Sequence, residues 1–153
     1  MHAALLMALF AHADTPADND RPDGIMEVHR ALSARDNAAP CEQVEALSTE
    51  PVQALLYIVD NATQPPWAGI RAAECLTTRH AEQIQPQLKQ WVQTPGTKGF
   101  ALIVFNNIDR VPEQIADTII RAALAGPLAE DARPRLQSHN IPRINSIIEE
   151  TSL

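Results

Sequence analysis

The chain is short of aromatic residues, glycine and positive charge. Three Phe, two Trp, one Tyr and five Gly in 153 residues, set against abundant Ala, Leu and Ile, favour helices packed through small side chains over a β-sandwich. Twelve Lys and Arg face nineteen Asp and Glu, giving a net charge of −7. Such a chain lacks the broad positive field that draws nucleic acid or an anionic membrane. No apolar run near either end approaches the ~20 residues needed to span a bilayer. There is no HExxH, GxSxG, Gly-rich phosphate loop or DxDxDG calcium loop. Two cysteines without CxxC spacing and five scattered histidines supply no four-ligand zinc set, so no metal or cofactor is expected. What is present is a globular composition, 45% hydrophobic and 20% charged, at a length that suits one domain.

Ala3 to Ala11 (AALLMALFA) has the length of a signal-peptide apolar region, and Ala11-His12-Ala13 before Asp14 reads as an A-x-A cleavage site. The segment is shorter than the usual about 15–30 residues and no Lys or Arg precedes it; a start codon assigned too late accounts for both. Residues 1–13 are therefore expected to be a signal peptide and the protein to be exported, periplasmic or extracellular. The alternative is a short amphipathic helix docked on a cytoplasmic domain. Residues 14–24 (DTPADNDRPDG) have a linker composition, with no large apolar side chain to repay ordering. The folded domain is expected over 25–153.

Cys41 and Cys75 stand 34 residues apart. In an oxidising compartment a bridge between them would contribute roughly 3–4 kcal/mol by closing that loop. The other outcome is two buried thiols acting as small hydrophobes.

From Ile25 onward the hydrophobic period is helical. Successive stripes run through Ile25, Val28 and Leu32; Cys41, Val44 and Leu47; Val52, Leu55, Leu56 and Val59; Trp67, Ile70, Ala73 and Leu76; Ile84, Leu88, Trp91 and Val92; Phe100, Ile103, Val104 and Ile108; and Ile115, Ile119, Ala122 and Ala123. Shorter closing helices follow at 128–136 and 142–148. Phe100 to Phe105 (FALIVF) would also suit a buried strand, but no second such run exists to pair with it. Pro40, Pro51, Pro65-Pro66 and Pro112 mark helix starts. Pro86 is expected in or just after a first turn, and Pro134 to kink or break its helix.

The chain aligns on itself. The apolar pairs Val52/Leu56, Ile84/Leu88 and Ile115/Ile119 start 32 and then 31 residues apart, and Cys41-Val44-Leu47 matches Ile70-Ala73-Leu76 at a step of 29. Two interleaved helix series sharing a period near 30 is the pattern of stacked helical hairpins. Gly69-Ile70-Arg71-Ala72-Ala73-Glu74-Cys75-Leu76 resembles the first-helix pattern of HEAT-like α-helical repeats, and Ile84-x-Pro86-x-Leu88 resembles their second helix. The resemblance covers roughly residues 38–138. It departs at Lys98-Gly99-Phe100, which replaces the apolar-Arg-Ala pattern, and in the first copy, which lacks the Arg. It implies an all-α fold: a short α-solenoid of about three stacked hairpins, with the first helix and the C-terminal segment 141–153 as caps.

Within that family, metal-dependent hydroxylases carry paired His-Glu motifs, and no His-Glu dipeptide occurs here. Lyases on tetrapyrroles and DNA glycosylases also belong to it, and an acidic, Lys-poor chain supports neither. His29 keeps no Ser or Cys nucleophile beside it in sequence, His80 follows Thr77-Thr78-Arg79 in the turn between two helices and His139 lies in a C-terminal loop; each reads as a solvated or capping histidine. The residues read as a binding surface are Gln83, Gln87 and Gln90 on the polar side of the fifth helix and Glu113 and Asp117 on the seventh, on the concave face. Neutral amides beside acids suit a protein or peptide partner. The reading is a non-catalytic, exported binding or scaffold module, with self-association through its end faces as a further possibility. The alternative is an enzyme or accessory in which Arg71 or Arg79 activates a Cys75 thiolate.

Overall fold

The computed structural model describes residues 21–152, so the expected signal peptide and residues 14–20 of the expected linker lie outside the described residues. The described chain is all-α. Its helices are α1 (Ile25–Ser33), α2 (Cys41–Glu45), α3 (Pro51–Asn61), α4 (Pro66–Arg79), α5 (Gln85–Gln93), α6 (Lys98–Asn106), α7 (Glu113–Leu124), α8 (Ala129–Ser138) and α9 (Pro142–Glu150). Short 3₁₀ turns at Pro95–Thr97 and Ile108–Arg110 precede α6 and α7.

Proline sets where these helices begin. Pro51, Pro66, Pro86 and Pro142 fall at the first or second helical position of α3, α4, α5 and α9, and Pro40, Pro65 and Pro112 stand at the cap of α2, α4 and α7. At these positions the missing N–H has no intrahelical partner to lose, and the fixed φ suits helix entry. Pro134 behaves otherwise than its sequence context suggests: α8 runs through it to Ser138 without a break. Pro134 and Glu130, four residues before it, are both exposed, so water can replace the lost donor. The FALIVF run is helical within α6.

The helices pack in two rows. α4, α6 and α8 touch in succession, as do α5, α7 and α9; α3–α4, α5–α6 and α7–α8 join the rows, and α1 rests on α3 and α4. The family pattern pairs α4 with α5, but these consecutive helices do not pack side by side; the close pairs are offset by one helix. An apolar period fixes the interval between equivalent helices and is silent about which neighbour each one faces.

Trp91, Phe105, Leu55, Leu76, Leu88, Ile119 and Leu136 fill the interior, and Ala54, Ala68, Ala72, Ala101, Ala116 and Ala132 are fully buried between them. Alanine at a helix contact lets the axes approach closely, which is how few aromatics suffice. Two stripe residues fall outside the core. Leu47 lies beyond the end of α2 and is 40% exposed, and Ile70 is 36% exposed because α4 buries its Ala68-Ala72-Cys75-Leu76 face instead. Gly24 enters α1 with φ +69°, and a Cβ there would collide with the Leu47 carbonyl.

Candidate functional site

Polar side chains of α4 clasp the N-terminal segment. The Cys41–Cys75 disulfide ties α2 to α4. The Trp67 indole N–H donates to the Ser33 carbonyl (3.1 Å), and Arg71 donates to the carbonyls of Leu32 (2.8 Å) and Ala34 at the end of α1. Arg79 donates to Glu45 (2.9 Å) and Glu42 (2.5 Å), and His80 Nε2 to Glu45 (3.0 Å). The hydrogen bond to Glu45 holds the Arg79 pKa above its ordinary value, with the charges of Glu45 and Glu42 adding to it against some desolvation. With its sulfur in the bridge Cys75 carries no thiol, and both guanidiniums that would activate one are engaged elsewhere.

The other described histidines also fasten helix ends. His29 Nε2 donates to the Gln64 carbonyl (3.0 Å) and His139 Nε2 to the Phe105 carbonyl (2.8 Å). Trp91 is core, as its stripe suggests, and stacks at a tilt on Phe100 with ring centres 5.2 Å apart. Trp67 is only half-buried, with the Arg35 guanidinium 6.0 Å from its ring centre.

Past the clasp, the surface opens into a groove. Buried Ala81 and Ile84 pin the turn between α4 and α5, whose backbone closes through Gln83 N–H and Ile84 N–H on the His80 carbonyl (2.9 and 3.1 Å). Buried Ile108 and Val111 pin the facing loop, in which Arg110 N–H bonds the Asn107 carbonyl (3.0 Å). Between turn and loop lies a cleft of about 320 Å³ lined by Thr78, Arg79, His80, Glu82, Gln83 and Arg110. A second cleft, of about 530 Å³, shares Glu82 and Pro112 with it and continues past Gln85, Glu113 and Gln114. Both walls are held by buried aliphatic anchors, so the groove is part of the fold rather than a gap between mobile loops.

The residues expected to bind divide over this surface. Gln83 lines the first cleft, though from the turn before α5 and not from the helix. Glu113 lines the second. Gln87 and Gln90 lie on α5, bonded to one another at 3.4 Å, and line neither cleft. Asp117 is engaged by Arg143 of α9, which also meets Glu113 at 3.3 Å, so these two acids fasten α9 to α7. Arg110, Glu82 and Thr78 escaped sequence reading; a lone arginine in a loop belongs to no periodic pattern.

Charge in the groove is unevenly committed. Among the described residues the side chains of Arg110, Glu82 and Gln83 make no hydrogen bond or ion pair, whereas Lys98, Arg121 and Arg143 are paired with acids between helices. Arg30 and Lys89 are also without such partners, and neither lines the groove.

Two further hollows lie outside this groove. One of about 200 Å³ beside the disulfide is lined by Leu32, Pro40, Cys41, Arg71 and Cys75, and one of about 330 Å³ between α1 and the end of α3 by Ile25, Met26, His29, Tyr57 and Asn61. Among the described residues no His, Cys, Asp or Glu cluster is arranged to hold a metal ion, and no helix is long and apolar enough to cross a membrane. The chain matches no protein-family model, no curated protein and no solved structure.

Proposed function

We propose that this chain is a small binding module of stacked helical hairpins, akin to HEAT-like repeats, that holds a protein or peptide segment in the groove between the α4–α5 turn and the loop before α7. The observation that carries the reading is the set of uncommitted polar side chains along that groove, Arg110, Glu82 and Gln83, on walls fixed by buried residues. Hairpin stacking is supported by the two rows of helices, α4-α6-α8 and α5-α7-α9. In such stacks binding surfaces run across successive repeats, and this groove likewise crosses from α4–α5 to α7.

Export is supported by the apolar segment Ala3–Ala11 with its A-x-A sequence and by the Cys41–Cys75 bridge, since such bridges persist in oxidising compartments. A reactive Cys75 would require that bridge to be reduced. The module acts by binding and not by turnover.

The test is site-specific photo-crosslinking in the native host. A photoreactive residue at Gln83 is expected to give one discrete adduct, and the same residue at Gln90 none. Adducts from Gln90 but not Gln83, or turnover of a small substrate by the purified protein, would overturn the reading.

A further inference from the structure

We infer that the cleft between Arg110 and Gln83 recognises a carboxylate, and that the ligand carries a cationic group close behind it. This rests on the groove being a peptide site and specifies what part of a peptide enters it. Arg110 is the uncommitted cation of the groove, because Arg79 beside it is already engaged by Glu42 and Glu45. A guanidinium presents a planar fork of donors that suits a carboxylate better than any other common peptide group. Gln83 adds a free amide on the same cleft.

The second requirement comes from what surrounds Arg110. Glu82 lines the same cleft, has no partner among the described residues and marks the junction with the second cleft, where Glu113 lies. The whole chain carries −7. A purely anionic ligand would be repelled by that field and by Glu82, whereas a Lys or Arg side chain one or two residues from the carboxylate would meet Glu82 favourably. Arg110 and Glu82 share a cleft without pairing with one another, which leaves both for a ligand of opposite polarity.

A terminal carboxylate and an acidic side chain offer the same chemistry, so the experiment uses both. The full chain, disulfide intact and isotopically labelled, is titrated with Ac-Gly-Lys-Ala-Ala as free acid, with its C-terminal amide, and with Ac-Gly-Lys-Ala-Asp amide, while amide NMR shifts are followed. The free acid or the Asp peptide is expected to move the amides of Thr78, Gln83 and Arg110; the one that does identifies the carboxylate's source. Arg110→Gln should weaken that binding about two- to fivefold, the range of an exposed ion pair. Arg110→Lys should restore part of it, and Arg121→Gln, at the remote pair with Glu150, should leave it unchanged. If the amide peptide binds the groove as well as the free acid, and Arg110→Gln changes nothing, the carboxylate assignment fails while the groove remains a peptide site. If no peptide moves the groove amides at millimolar concentration, the assignment fails and the peptide-site reading loses its support as well.

Discussion

Cys41 and Cys75 are joined across 34 residues of chain, tying α2 to α4. The same interval separates Trp67 from the Ser33 carbonyl it donates to, Arg79 from Glu45, and His139 from the Phe105 carbonyl. Four bonds of different chemistry thus span one distance along the chain. Three of them hold the N-terminal segment to α4, and the fourth joins the end of α8 to α6.

The disulfide closes a long loop, so its loss should register as global instability. Replacing both cysteines by serine is expected to cost about 3–4 kcal/mol. For a chain of this size that lowers the melting temperature by roughly 6–15 °C. Thermal melts of the oxidised, reduced and serine forms check this; coincident curves would show that α2 adds nothing to the cooperative unit.

Arg71 holds the end of α1 by donating to the carbonyls of Leu32 and Ala34. Arg71→Met keeps the aliphatic stem and removes the donors, leaving half-buried carbonyls without partners. The expected loss is about 1–3 kcal/mol. Amide hydrogen exchange should accelerate in α1 more than in α7.

The acids Glu113 and Asp117 are one helical turn apart on α7 and share Arg143. Removing that arginine leaves two like charges at i and i+4, with Arg121–Glu150 as the ion pair still joining α7 to α9. Arg143→Ala should destabilise by about 1 kcal/mol in urea denaturation. Adding Glu113→Gln in the same chain should recover part of it.

Two glycines should respond with opposite sign to alanine. Gly69 sits inside α4, where a new Cβ would meet the Phe100 ring at an ordinary 3.9 Å. Gly69→Ala should stabilise by roughly 0.5–1 kcal/mol through helix propensity. Gly24→Ala instead forces a Cβ into positive φ and against the Leu47 backbone, and should destabilise by more than about 1 kcal/mol. Equilibrium unfolding of the two variants decides it.

Much of the fold was legible because its signals are local. Proline at Pro51, Pro66 and Pro142 announces helix starts through its fixed φ, and the Ile84-Leu88-Trp91-Val92 stripe predicts the buried face of α5. The pairing of helices was not legible, because α4 has a wide Ala-rich face and the choice between α3 and α5 depends on which surfaces meet in space. Ile70 illustrates the same limit: its spacing fits the stripe, yet alanines pack more closely than its branched side chain would allow. At the site, Gln83 and Glu113 were visible as polar residues beside the apolar stripes of the fifth and seventh helices, although Gln83 stands in the turn before α5. Arg110 was not, since its significance lies in facing Gln83 across a cleft that forms only on folding.

Hydrogen exchange of the full chain, alone and with the partner captured from Gln83, locates the surface that the partner covers. Protection confined to residues 78–85 and 107–115 is the predicted result. Protection centred instead on the hollow around Met26 and Tyr57, or on α9, would contradict it.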